Sequence, residues 1–142
     1  MVDEKNLKDV LTIVKHPKMG DAEIGKAICA KIRQKLKESE GPVCIYHDAT
    51  DMATANIGYA GAFKELDQEI SGRVVEVVCA IPGSIPRMMA HTVAMFSSKK
   101  WSIFTSRADA IKYLNAMGYS LTEDEIIKAE DVSVKVLQHG HN

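Results

Sequence analysis

Two hydrophobic patterns alternate along this chain. Short apolar runs rich in β-branched residues predict strands, and between them apolar residues return every three or four positions, which is typical of amphipathic helices. Four runs predict strands in turn: Val10–Val14, Val43–Tyr46, Val74–Ile81 and Trp101–Thr105. Because a helical segment follows each strand, the chain is predicted to be an α/β protein with a mostly parallel sheet of four to five strands packed with helices.

The predicted helices begin at residues that can cap a helix. An apolar residue at every fourth position marks the first helix, and further helices are predicted over 55–70, over 85–96 and from 107 to 118. Capping residues stand at four predicted starts: Asp21, Ser84, Ser106 and Thr122. A short helix follows Thr122, and the period-two pattern of Val132–Leu137 predicts an added edge strand. We predict one domain over residues 1–142, in which 119–142 form a C-terminal appendage.

Polar residues are dense in two turns, His47–Met52 and Ile81–Arg87, each of which follows a predicted strand. If these strands are parallel neighbours, both turns lie at the carboxyl edge of the sheet, where open α/β folds usually bind ligands. We therefore predict a ligand-binding crevice at this edge. Its residues are Asp48, Thr50, Asp51, Asn56, Ser84, Arg87 and His91.

Within that crevice, the start of the third helix predicts an anion site. Ser84 as the N-cap leaves exposed amides at the positive end of the helix dipole. Arg87 adds a planar cation in the first turn, and His91 lies one turn further along the same helix face. A plainer interpretation stays open, in which the Pro-Gly-Ser sequence only turns the chain and Arg87 pairs with a surface carboxylate.

Catalytic residues, a cofactor and a metal site are not predicted. Asp48 lacks the second carboxylate, two positions later, of an Asp-x-Asp phosphatase motif, and the sequence has no glycine-rich phosphate loop. His47 shares a face of its strand with Ile45, opposite Tyr46, where a lone histidine is more often a satisfied side chain than a base. An acid–base pair of His91 with Asp48 stays open as an alternative.

Composition narrows the classes of function. The chain has 142 residues, of which 46% are hydrophobic and 26% charged, and its net charge of -1 gives no basic field to hold nucleic acid. Its apolar runs are far shorter than the ~20 residues of a membrane span, and no targeting signal follows Met1–Lys5. We predict a cytoplasmic protein with no nucleic-acid partner and no transmembrane segment. The cysteines, Cys29, Cys44 and Cys79, fall within apolar patterns that favour buried, reduced thiols.

The order of elements over 10–118 resembles the STAS superfamily in its SpoIIAA-like branch. As in that family, the strand Val43–Tyr46 leads to Asp48, and Lys100–Leu114 contains a strand ending in an aromatic, a serine cap and an alanine-rich helix. The resemblance implies a SpoIIAA-like fold. It also implies a mostly non-enzymatic role, in which the domain binds proteins, nucleotides or lipids and relays a signal.

The chain departs from that family at two places. Phosphoswitch members carry an Asp-Ser-Ser-Gly-like motif whose serine is phosphorylated by a partner kinase. The corresponding segment Thr54–Gly58 has no such serine, so a phosphorylation site is not predicted. The opening hairpin of the family is also shortened, with only Val10–Val14 clear before the first helix.

We predict a non-enzymatic binding or regulatory module. It takes a small anionic or apolar ligand, or a regulatory protein, at the carboxyl edge of the sheet. Two alternatives stay open: a small hydrolase or lyase using His91 and Asp48, and a lipid carrier of the Sec14 type, which the methionines of the third helix favour. A homodimer is predicted through Met88, Met95 and the strand Val132–Val136.

Overall fold

The computed structural model describes residues 10–136. Residues 1–9 and 137–142 lie outside the described part. Two predictions fall on them: that no targeting signal follows Met1–Lys5, and that the tail strand extends to Leu137. The strands are β1 Val10–Lys15, β2 Met19–Gly20, β3 Val43–Asp48, β4 Thr54–Ala55, β5 Val74–Ala80, β6 Lys100–Phe104 and β7 Val132–Val136. The helices are α1 Ala22–Lys37, α2 Ile57–Glu69, α3 Ser84–Met95, α4 Arg107–Ala116 and α5 Glu123–Lys128.

Five strands form one sheet in the order β6-β5-β3-β1-β7. The first four run parallel to their neighbours, and β7 is antiparallel to β1 at the edge. The prediction of an α/β protein with a mostly parallel sheet is confirmed, as is the edge strand in the tail. Two short strands that the sequence did not predict, β2 and β4, pair with each other in parallel. This pair joins the loop after β1 to the loop after β3 at the carboxyl edge.

Helices cover both faces of the sheet. The front face, as we call it, is covered by α1, α2 and α3, whose Ile32, Leu66 and Val93 pack with Ile45 and Val77 of the strands. The back face is covered by α4 and α5. There the alternate strand residues pack against the helices, and the buried side chains include Leu11, Tyr46, Val78, Leu114 and Ile126. Because neighbouring strand residues point to opposite faces, each strand contributes to two separate cores.

The helix starts largely follow the predicted caps. Asp21 and Ser106 accept hydrogen bonds from the backbone three residues later, at 2.9 and 3.1 Å, and Thr122 forms a reciprocal capping box with Glu125. The predicted cap Ser84 is wrong. Gly83 is the N-cap of α3 and gives no side-chain hydrogen bond, and Ser84 is the exposed first residue of the helix. The helix therefore starts one residue earlier than predicted, and Pro86 is buried in its first turn, where the missing N–H costs no helical hydrogen bond.

The described part of the segment 119–142 contributes to both the sheet and a core. Its strand β7 completes the sheet, and Tyr119, Leu121 and Ile126 belong to the buried cluster of the back face. The cysteines are buried and free, as predicted. Within residues 10–136, none of the helices has the length and apolar character needed to cross a bilayer.

Two methionines are exposed on α3: Met88 is 67% exposed and Met95 is 78% exposed. Val136, at the end of the edge strand β7, is 62% exposed. The homodimer that the sequence predicts through Met88, Met95 and Val132–Val136 stays a prediction.

Candidate functional site

A partly open cavity of about 70 Å³ lies at the carboxyl edge of the front face. The ends of β3 and β5, together with Trp101 near the start of β6, form its floor, and α2 and α3 form its walls. Its lining is almost entirely apolar, with Met52, Phe63, Met89, Val93 and Trp101 among the larger side chains. Its polar side chains include two histidines and one tyrosine: His16, His47 and Tyr59.

These three polar side chains form a hydrogen-bonded chain. The Tyr59 Oη atom lies 2.6 Å from Nδ1 of His16. The other ring nitrogen of His16, Nε2, lies 2.8 Å from Nδ1 of His47. A linear chain of this kind connects the wall of the cavity, on α2, to its floor, on β3.

Strand geometry explains why the two histidines meet. In the parallel pairing of β1 with β3, Val14 lies opposite His47 and Lys15 opposite Asp48. His16 follows β1 directly, and its amide donates to the carbonyl of Asp48 at 2.9 Å. Because side chains alternate, His16 shares the front face with Val14, as His47 shares it with Val43 and Ile45 of β3. The predicted placement of His47 is confirmed.

Burial keeps both histidines neutral. Burial lowers the pKa of His16 to about 4, against a smaller opposing attraction from the carboxylate of Asp48. The pKa of His47 also falls well below its usual value, first through burial and then through repulsion from His16. Burial raises the pKa of the Tyr59 hydroxyl. At neutral pH the three hydrogen-bonded side chains are therefore uncharged, with one proton on each imidazole and one on the tyrosine.

Aromatic rings hold the histidines in place. His47 stacks on Trp101 with ring centroids 6.4 Å apart and meets the edge of Phe63 at 5.6 Å. His16 lies 5.1 Å from Phe63. The indole Nε1 of Trp101 is buried and finds no hydrogen-bond acceptor among the described residues. The indole N–H is thus an enclosed donor that the described part of the structure leaves unused.

Asp48, the first of the predicted site residues, points away from this cavity. It lies on the back face and is 3% exposed. Its carboxylate accepts hydrogen bonds from the Tyr46 hydroxyl at 2.6 Å, the Thr50 amide at 3.1 Å, and Arg107 Nε and Nη2 at 2.9 and 3.2 Å. Burial raises the pKa of Asp48, but these hydrogen bonds outweigh it and leave the pKa below its usual value. Both oxygens are therefore occupied by the protein itself.

The residues of the predicted anion site are also placed differently from the expected crevice. Arg87 turns back on its own loop, where Nη1 donates to the carbonyls of Ile81 at 3.0 Å and Pro82 at 2.7 Å. His91 and Ser84 are exposed on α3. Arg87 therefore stabilises the β5–α3 turn. Its partners are backbone carbonyls and not the surface carboxylate of the plainer interpretation.

The three remaining predicted residues belong to the loop after β3. Asn56 caps α2, accepting from the Tyr59 amide at 3.0 Å. Asp51 is exposed. The amide of Thr50 is bound to Asp48, while its hydroxyl is buried without a hydrogen-bond partner in residues 10–136. Of the seven predicted residues, Asp48 and Thr50 are hydrogen-bonded to each other. Asp48 lies on the opposite face of the sheet from Ser84, Arg87 and His91 of α3.

Sequence reasoning missed the residues that build the cavity. The sequence pattern assigns His16 to the turn that ends the first strand, although continuing the alternation of β1 by one step puts it on the front face beside Val14. Tyr59 and Phe63 are four residues apart and so share one face of α2. The carboxyl-edge rule that selected the turns after β3 and β5 applies equally to the end of β1.

Within the described chain, no three His, Cys, Asp or Glu side chains are arranged to hold a metal ion. Comparisons with known proteins add no relative: no family model, no curated protein and no solved structure matches this chain.

Proposed function

We propose that this protein is a non-enzymatic module that binds a small apolar ligand in the front-face cavity. The observation that carries the proposal is a partly open cavity at the carboxyl edge whose walls are apolar and whose histidines are neutral. Pockets that take small molecules are concave and mostly apolar, with a few placed polar groups. An apolar molecule gains free energy here by leaving water for walls such as Phe63, Met89 and Trp101.

The two rival interpretations have less support. An anion would need a free cation, but the guanidinium of Arg87 is bound to two carbonyls of its own turn. A hydrolase or lyase using His91 and Asp48 would need the two groups on one side of the sheet. Asp48 lies on the back face with four hydrogen bonds to its carboxylate, whereas His91 lies exposed on α3 of the front face.

A regulatory role is part of the proposal. We retain the resemblance to the SpoIIAA-like branch, in which a small α/β domain binds a ligand or a protein and relays a signal. The succession of strands and helices and the mostly parallel sheet support it. The antiparallel neighbour of β1 comes from the C-terminal strand β7, while the family has a hairpin at its start. We propose that the protein acts in the cytoplasm.

Trp101 is the only tryptophan in the chain, which provides a direct test. Because it lines the cavity, its fluorescence should respond to the small hydrocarbon methylenecyclohexane. Ala90 lines the cavity too, so Ala90→Phe should fill it and abolish a saturable response. The matched control is Ala108→Phe, the same substitution at an exposed position of α4.

Native mass spectrometry of the purified protein supplies the second measurement. A natural apolar ligand retained from the cell should add mass to the wild type and to Ala108→Phe, and this mass should be absent from Ala90→Phe. The proposal is wrong if methylenecyclohexane gives no saturable response, or if the response survives unchanged in Ala90→Phe.

A further inference from the structure

The hydrogen-bonded chain beside the cavity has a direction. Burial raises the pKa of Tyr59, so the hydroxyl keeps its proton. Among the described residues, the acceptor that this hydroxyl meets is Nδ1 of His16, at 2.6 Å. A buried hydroxyl proton without an acceptor costs free energy, so the Tyr59 O–H donates to His16.

That first donation fixes the tautomer of each ring in turn. With Nδ1 of His16 accepting, the proton of the neutral ring sits on Nε2 and is donated to Nδ1 of His47 at 2.8 Å. The neutral His47 then carries its proton on Nε2. This last N–H has no partner among residues 10–136, and His47 lines the cavity.

The neighbouring indole does not supply an acceptor for this N–H. Trp101 also lines the cavity, but its Nε1–H is itself a donor, enclosed by the protein and without an acceptor in the described chain. The N–H of His47 is thus left over in a lining that offers it mostly apolar side chains. Donors removed from water are nearly always paired in folded proteins, so this N–H indicates that something absent from the chain accepts from it.

We propose that the natural ligand is an uncharged apolar molecule with a carbonyl-type oxygen that accepts a hydrogen bond from His47 Nε2. This ligand class rests on the proposed function. Its apolar body packs against Phe63 and the methionines of the wall. A carboxylate or phosphate is excluded, because both histidines stay neutral and the cavity offers no cation to balance the charge.

The direction of the hydrogen bonds from Tyr59 through His16 to His47 can be tested without any ligand. The ¹⁵N chemical shifts of the imidazole nitrogens distinguish the two neutral tautomers. We expect His16 and His47 each to be protonated on Nε2 at neutral pH. A proton on Nδ1 of His47 would leave Nε2 as an acceptor and would overturn the proposed ligand class, whatever the binding experiments find.

A matched pair of probes tests the ligand class itself. Cyclohexanone and methylenecyclohexane have nearly the same shape, but only the ketone oxygen accepts a hydrogen bond. An apolar cavity without donors should favour the hydrocarbon by about tenfold or more, because the ketone loses hydration that nothing replaces. We expect the wild type to bind cyclohexanone at least as tightly as methylenecyclohexane, measured by backbone amide and indole N–H shifts.

Removing the donor should restore the preference for the hydrocarbon. His47→Phe keeps an aromatic ring but has no N–H, whereas His91→Phe makes the same change at an exposed position. We expect the preference to reverse in the first variant alone. If the wild type binds the hydrocarbon more tightly by tenfold, the donor proposal is wrong and the apolar cavity stands. If neither probe binds, the proposed function fails with it.

Discussion

The end of strand β3 places two neighbouring residues in contrasting surroundings. Asp48 points to the back face, where its carboxylate accepts from Tyr46, Thr50 and Arg107. His47 points to the front face, where its Nδ1 is hydrogen-bonded to His16 and its Nε2 has no hydrogen-bond partner among the described residues. The carboxylate of Asp48 is satisfied within the protein, and the imidazole of His47 leaves a donor at the wall of a cavity.

This difference separates a stabilising network from a binding site. The carboxylate of Asp48 and the guanidinium of Arg107 at the back face are charged, yet they are paired with each other. The imidazoles of the front face are neutral, but Nε2 of His47 has no hydrogen-bond partner among the described residues. Unused hydrogen-bonding capacity beside a cavity therefore indicates a site better than charge does.

Breaking the back-face network should have the largest effect on stability. Arg107→Ala leaves the carboxylate of Asp48, 3% exposed, without its cation. Removing one partner of a buried ion pair costs about 3 kcal/mol or more. We expect a fall of this size in the free energy of unfolding, measured by urea denaturation, with ligand binding retained.

Arg33→Ala is the matched control for that loss. Arg33 binds Glu69 with the same two-point geometry, at 2.9 and 2.7 Å, but the side chains are 35% and 48% exposed. An exposed pair contributes at most about 1 kcal/mol. Equal losses in the two variants would contradict the view that the back face is a buried, self-satisfied network.

The fold was largely predictable because its signals are local. Alternating strands, apolar helix stripes and the caps Asp21, Ser106 and Thr122 act within a few residues of one another. The order of the strands is not local. Pairing of β7 with β1 joins residues more than a hundred positions apart, and no short pattern encodes such a contact.

The site was predictable only in its location. Strand alternation placed His47 on the correct face, and the carboxyl-edge rule selected the correct end of the sheet. The partners depend on how strands and helices align across the fold. Tyr59 reaches His16 from α2, and Arg107 reaches Asp48 from α4, 59 positions further along the chain. For the same reason, the position of Arg87 in the sequence does not reveal that its guanidinium binds the carbonyls of Ile81 and Pro82.

Acid should destabilise the protein through the front face. The pKa of His16 is about 4 in the fold and 6.5 for an unburied ring, so between these values the unfolded chain binds more protons. Stability is then fully present above the higher value and falls as the pH falls through this window, by up to about 3 kcal/mol from His16 alone. His47, whose pKa is also lowered, adds to the loss.

Urea denaturation from about pH 7 to about pH 4.5 measures this loss. His16→Gln should flatten the dependence, whereas His91→Gln, at an exposed histidine, should leave it unchanged. The lowered pKa of Asp48 has its effect below this window, so the two faces are separated by pH. Constant stability over the range would mean that the front-face histidines are not held neutral by burial.

The smallest expected effect compares two tyrosines with matched substitutions. Tyr46→Phe removes a hydrogen bond to the charged carboxylate of Asp48, worth about 2 kcal/mol, while Tyr59→Phe removes one to the neutral ring of His16, worth about 1 kcal/mol. Ligand selectivity should respond in the opposite order. Without the Tyr59 proton both tautomers of the histidine pair become accessible, so the relative affinity for cyclohexanone over methylenecyclohexane should fall in Tyr59→Phe and stay at the wild-type value in Tyr46→Phe. If Tyr46→Phe alters the selectivity as much, the two faces are coupled and the separation between network and site does not hold.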